Sequence, residues 1–188
     1  TPGIPDVQLT IAPLAAGVMV STETIALGDV QLGEYWSEKE DVTASVSVTP
    51  IMTTVTGITC DEDFFVLPTI DLTASPIEFE VAYNKNAAAG EYTGNLTITY
   101  GDGATKVVPM TATAYAPATP DVFELAQEIT FTDGVYTNTP DFATLHDNYL
   151  GAPDAVYSFT LEDNQAVEVH VAGKNAKHAV YAEDDYTT

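Results

Sequence analysis

The stretch AAAGEYTGNLTITYGDGATK, residues 87–106, decides how the chain is read. From Tyr92 onward apolar and polar side chains take turns. Tyr92, Leu96, Ile98 and Tyr100 fall on one side of an extended backbone, and Thr93, Asn95, Thr97 and Thr99 on the other. Side chains of a β-strand alternate with a period of two, whereas a helix repeats near 3.6, so the pattern specifies a strand with one dry and one wet face. Gly101-Asp102-Gly103 then supplies residues that tolerate positive φ, which places a tight hairpin between Tyr100 and Lys106. Residues 84–90 read as the loop ahead of the strand.

Outward from this stretch the same texture recurs. In Ile77-Glu78-Phe79-Glu80-Val81-Ala82-Tyr83 the odd positions are apolar and two even ones are acidic. From Asp41 to Val48, Val42, Ala44, Val46 and Val48 share one face, with Thr43, Ser45 and Ser47 opposite. Strands of this kind bury one face and wet the other, as in an antiparallel β-sandwich. Each buried Leu, Ile or Val contributes roughly 1.5–3 kcal/mol, so a handful of such strands holds a sandwich together without a covalent staple. Gly90-Glu91-Tyr92 matches the end of a tyrosine corner, in which the ring enters the core and its hydroxyl ties back to the backbone. Tyr92 is therefore assigned a fold role rather than a ligand role.

Near residue 117 the composition changes. Ala116-Pro117-Ala118-Thr119-Pro120 carries two prolines in four positions, which favours an extended spacer and ends the preceding strand. The expected organisation is a first β-sandwich over residues 1–116, a linker over 117–120 and a second, smaller β-sandwich or jelly-roll-like domain over 121–188. Strands are expected at Glu128–Phe131, Asp154–Leu161, Ala166–Val171 and Ala179–Ala182. Four or five strands in about 70 residues make a thin sandwich. The second domain is accordingly expected to be incomplete or to depend on its neighbour.

Charge and cysteine content narrow the function classes. The 188 residues include 28 acidic side chains against five lysines and no arginine, a formal charge of −23. Phosphate is gripped best by guanidinium, and counterion release needs cations, so nucleic acid and anionic membranes are poor partners. An acidic shell favours a soluble monomer and collects divalent cations; salt adaptation is a second reading of the same balance. Cys60 is the sole cysteine, which excludes an intrachain disulfide. No run of 18 apolar residues occurs, and Thr1-Pro2-Gly3 opens no signal peptide, as expected of a chain that starts after a removed leader.

Two resemblances follow from these residues. The order TIALGDVQLGEYWSEKEDVTASVSV, DFFVLP and PIEFEVAYNKNAAAGEYTGNLTITYGDG resembles the immunoglobulin-like modules of bacterial choice-of-anchor D proteins, relatives of the Hydin-like and major-sperm-protein-like sandwiches. That family's entry motif reads here Leu27-Gly28-Asp29-Val30-Gln31-Leu32-Gly33, with Leu27 in place of phenylalanine. Its later motif runs from Val81 to Ile98, with Lys85 where a proline is usual. This resemblance covers most of residues 6–115. The segments GAPDAVYSFTLEDNQAVEVHVAG and KHAVYAEDD are similar to the start of a prepeptidase-C-terminal-type β-domain. Together the resemblances imply export and a Gram-negative cell surface. They are nearly silent on activity, because such modules serve as spacers, adaptors and docking surfaces.

Residue chemistry points the same way. There is no G-x-S-x-G elbow. Cys60 precedes Asp61-Glu62-Asp63, whose charges raise a thiol pKa, so it is read as a core residue rather than a nucleophile. His146, His170 and His178 lack zinc spacing, and His170 falls on the polar face of its strand. Asp61-Glu62-Asp63, Asp147-Asn148 with Asp154, and Glu183-Asp184-Asp185 are oxygen-rich candidates for calcium, none with an EF-hand pattern. No catalytic residue, no metal ligand and no cofactor is assigned. Tyr35 and Trp36, in Glu34-Tyr35-Trp36-Ser37-Glu38, are the candidate ligand-binding pair, since loop aromatics stack on sugars or anchor protein partners. The expected function is a non-catalytic extracellular module in adhesion, docking or spacing, with a protein or glycan partner. The alternatives are an accessory region of a secreted hydrolase whose catalytic domain lies elsewhere, and a carbohydrate- or calcium-binding module.

Overall fold

The computed structural model describes residues 15–35, 41–147, 153–162, 165–172 and 178–180, and its regular structure is almost wholly β. In chain order the strands are β1 (Gly17–Val20), β2 (Ile25–Gln31), β3 (Ala44–Ile51), β4 (Val55–Cys60), β5 (Phe65–Val66), β6 (Ile77–Tyr83), β7 (Gly90–Tyr100), β8 (Ala104–Tyr115), β9 (Gln127–Glu128) and β10 (Tyr157–Ser158). Two three-residue 3-10 turns, Phe123–Leu125 and Phe142–Thr144, are the helical elements among the described residues.

Two four-stranded sheets form, in the orders β1-β3-β6-β5 and β2-β8-β7-β4. Lettering β1 and β3 to β8 as A to G turns the first sheet into ABED. The second carries CFG, with β2 added beside G. That is the immunoglobulin strand order, with the first strand divided between the sheets. The all-β expectation holds. Register is set by the buried face: Val46 lies opposite Phe79 and Val48 opposite Ile77 across β3 and β6, while Ile58 faces Ile98 across β4 and β7.

On β6 and at the centre of β7 the alternation read from the sequence is the alternation of burial. Over 41–48 it holds at Val46 and Val48, whereas Val42, expected on the same face, precedes β3 and is 37% exposed. Ile77, Phe79, Val81 and Tyr83 are buried, whereas Glu78 and Glu80 are exposed. Leu96 and Ile98 are wholly buried on β7, and Val108, Met110, Ala112 and Ala114 are buried on β8. The hairpin falls at residues 101–103, with Gly101 and Gly103 at φ +55 and +98 and the Gly103 N–H donating to the Tyr100 carbonyl (3.3 Å). Tyr92 stacks on buried Phe64 at 3.8 Å between centroids, and Phe64 meets Phe65 edge-on at 5.3 Å, so an aromatic group fills this end of the core.

Two departures from simple alternation have glycine as their cause. Along β2 and the residue after it, inward parity changes from Ile25 and Leu27 to Val30 and Leu32. Gly28, at φ +71, absorbs the one-residue change of phase, as a β-bulge glycine does. On β7, Gly94 occupies the inward position between Tyr92 and Leu96. A Cβ there would stand 2.8 Å from the Cβ of Glu62 and 3.2 Å from Phe65, so the 61–65 segment crosses at a distance that a side chain would forbid.

The chain divides into two compact units. One is drawn from 1–28, 42–84 and 91–113, the other from 29–41, 85–90 and 114–188. In the second unit β9 and β10 pair in parallel, Gln127 beside Tyr157 and Glu128 beside Ser158. The Gln127 and Ile129 N–H groups donate to the Val156 and Ser158 carbonyls, both at 2.9 Å. Asp133 and Gly134, at φ +51 and +77, close a small hairpin between Thr132 and Val135. Asp-Gly is a favoured pair for such a turn, a signal that the sequence reading passed over. The 117–120 segment contains a turn, with Pro117 buried and the Asp121 N–H donating to the Ala118 carbonyl (2.6 Å).

Expected strands of this unit are shorter than their alternation suggested. Those at Glu128–Phe131 and Asp154–Leu161 are represented by the two-residue β9 and β10. The described residues 165–172, which span Ala166–Val171, form no strand, and Val169 and Val171 are 43% and 48% exposed. The physical reason is the lack, among the described residues, of a facing sheet to cover these valines. Residues 181 and 182 of Ala179–Ala182 lie outside the described residues.

Candidate functional site

The loop after β2 carries the predicted aromatic pair. Leu32 is buried and its N–H donates to the Tyr115 carbonyl (2.8 Å), and the Gly33 N–H donates to the Lys85 carbonyl (2.9 Å). Lys85 Nζ reaches Asp41 Oδ2 at 2.8 Å and Glu34 Oε2 at 3.4 Å. Burial alone would lower the Lys85 pKa; the two carboxylates outweigh it and hold the ammonium above its ordinary range. The Lys85 side chain thus ties Glu34 and Asp41 to the segment after β6. Tyr35 is half-buried, and its ring lies over Gly33, where a Cβ would be 2.5 Å from Tyr35 Cε2. Trp36, the other member of the predicted pair, lies outside the described residues.

A second constellation had no local signature. Asp121 is 1% exposed, and its two carboxylate oxygens accept from His146: Oδ1 from the backbone N–H (2.7 Å) and Oδ2 from Nδ1 (2.8 Å). The imidazole stacks face to face on Tyr115, 3.5 Å between centroids and 7° from parallel. The carboxylate holds the hydrogen on Nδ1 and leaves Nε2 on the opposite edge of the ring. The next residues continue the knot: the Asp154 N–H donates to the His146 carbonyl (2.9 Å), and the Val156 N–H to the Pro120 carbonyl (2.7 Å). A buried carboxylate orienting a histidine is one half of a nucleophilic constellation. Here it serves as a clip between the turn at 118–121 and the segment at 146. Twenty-five residues separate the partners, a distance at which no spacing motif operates.

The acidic stretch after β4 is organised by asparagine. Asn95 donates its backbone N–H to Asp61 Oδ1 (2.6 Å) and its side-chain Nδ2 to Oδ2 (2.8 Å). These bonds, the side-chain one foremost, hold the Asp61 carboxyl below its usual range. Cys60 Sγ–H donates to the Glu62 carbonyl at 3.2 Å. Its pKa is raised, first by burial and then by the charges of Asp61 and Glu62. The direction agrees with the sequence expectation, although burial leads. His170 pairs with Glu168 at 3.0 Å on the surface. Among the described residues no group of three or more His, Cys, Asp or Glu side chains could hold a metal ion. Asn148 and 183–185, named among the calcium candidates, lie outside the described residues.

No family model matches the chain, and no curated protein matches it. Among solved structures, the chain is similar to the Vibrio cholerae VesB protease at 14% identity and a TM-score of 0.31, over 52% of this chain and 31% of that one. This chain therefore spans about a third of the length of that protease. A superposition so slight assigns neither fold nor activity.

Proposed function

We propose that the chain is a non-catalytic β-sandwich module of an exported bacterial surface or secreted protein, working in adhesion, docking or spacing. One observation carries this reading. The inward faces of both sheets fill the space between them with side chains such as Val48, Val81, Leu96, Ile98 and Val108, each 0% exposed. Outward positions carry Glu78, Glu80, Thr93, Thr111 and Thr113, all exposed. A filled interior with a polar, acidic exterior offers surfaces to partners and keeps its shape without a disulfide. The test incubates the 188-residue protein with casein and with chromogenic glycosides and esters, and in parallel measures its retention on bacterial envelopes and on immobilised glycans. The expected result is no turnover; retention then separates docking from spacing. Saturable turnover of any of these substrates would overturn the reading.

A further inference from the structure

The second unit contains a concavity of about 220 Å³, walled by Thr119, Gln127, Asn138, Asp141, Thr144 and Tyr157 among others. The parallel ladder builds it, because β9 and β10 set Gln127 directly beside Tyr157. Its polar groups are already fixed in place. Asn138 Oδ1 accepts the Thr139 N–H (2.8 Å), which orients the amide so that Nδ2 donates to the Tyr157 hydroxyl (2.7 Å). Asp141 Oδ1 accepts the Ala143 N–H (3.1 Å), and Thr144 Oγ1 donates to the Asp141 carbonyl (3.0 Å). The Tyr157 ring lies 6.0 Å from that of Tyr136, at 58°. Burial, ahead of all other influences, raises the Tyr157 pKa, so the phenol stays a neutral hydroxyl, able both to donate and to accept.

We infer that this concavity binds one neutral sugar ring, such as a hexose at the end of a glycan. Size comes first: the volume lies below the ~300 Å³ at which pockets for drug-sized ligands begin, so the occupant is a single ring. Chemistry comes second. Amide and hydroxyl groups that both donate and accept match a ligand whose rim is hydroxyls, and a tyrosine presents an apolar body beside a polar tip to a ring with C–H faces. Charge comes third. A net charge of −23, with Asp141 in the wall, repels uronates, sialates and phosphates. The inference goes beyond the docking reading and is separable from it.

The test is an amide-resolved NMR titration of the full 188-residue chain with glucose, galactose, mannose and N-acetylglucosamine. Glucuronic acid and arginine amide serve as anionic and cationic comparators. At least one neutral sugar is expected to shift Gln127, Thr144, Leu145 and Tyr157 saturably in the millimolar range. Asn138→Ala, at an exposed position, and Tyr157→Phe, which keeps the ring, are each expected to weaken that binding about fivefold, the effect of one hydrogen bond. Silence at these amides with every neutral sugar would overturn the inference, as would unchanged affinity in both variants or tighter binding of a comparator. Retention on a bacterial envelope with a silent concavity would sink this inference while leaving the docking reading intact.

Discussion

Strand β7 and the segment 166–171 carry the same alternation and meet different ends. On β7 the apolar positions Leu96 and Ile98 are wholly buried, and β3 and β6 of the other sheet likewise bury Val46, Val48, Phe79 and Val81. Along 166–171 the apolar positions Val169 and Val171 remain 43% and 48% exposed, and no strand forms. On the polar side of β7 Thr93 is exposed and Asn95, Thr97 and Thr99 are half-buried, while Glu168 and His170 are exposed. Alternation therefore sorts side chains into two faces, and only a second layer makes one of those faces a core.

The largest expected effect breaks this comparison outright. Leu96→Asp should unfold the first unit, since an unpaired carboxylate in the core costs more than about 4 kcal/mol. Val169→Asp should change stability by less than about 0.5 kcal/mol, as surface substitutions do. Thr97→Asp, on the wet face of β7, should likewise be tolerated. Denaturant unfolding followed by circular dichroism distinguishes the three. Equal losses for Leu96→Asp and Val169→Asp would mean that 166–171 also packs against a layer.

A smaller effect is expected where the 61–65 segment crosses Gly94. Gly94→Val should cost about 1–3 kcal/mol through overpacking against Glu62 and Phe65, read as a lowered denaturation midpoint with an unchanged slope. The second unit has its own sensitive point. Asp121→Ala removes the acceptor of both His146 bonds and should loosen that unit by about 1–3 kcal/mol. Hydrogen exchange should rise at His146, Asp154 and Val156 while Leu96 and Ile98 stay protected. Uniform loss of protection across both units would show that the clip supports the whole chain.

The smallest effect is electrostatic and belongs to the sandwich. The Asp61 pKa is depressed in the folded state, so its contribution is present above the unfolded carboxylate value of about 3.9 and fades as pH falls through the lower folded value. Asn95→Leu should move the Asp61 carboxyl titration, followed by carbon NMR, back up toward the ordinary range. An unmoved midpoint would assign the depression to other groups.

Legibility differed between the two units for a reason visible in single residues. Ile77, Phe79, Val81, Leu96 and Ile98 could be placed because each strand records its own dry face, and the 101–103 turn because Gly-Asp-Gly encodes its backbone locally. The change of phase at Gly28, the need for glycine at 94 and the role of Lys85 became visible only once neighbouring segments stood beside them. In the second unit the Asp121–His146 clip and the Asn138–Tyr157 pair join residues far apart in the chain, and no periodicity announces such a meeting.

By itself the sequence determined the all-β class, the dry faces of β6 and of the centre of β7, and a net charge of −23, because side-chain periodicity and charge are properties of the chain before it folds. The tertiary structure alone decided which alternating segments became core, which acids acquired partners and where a polar hollow opened. Burial and hydrogen bonding need a second surface, and a strand read alone contains only one.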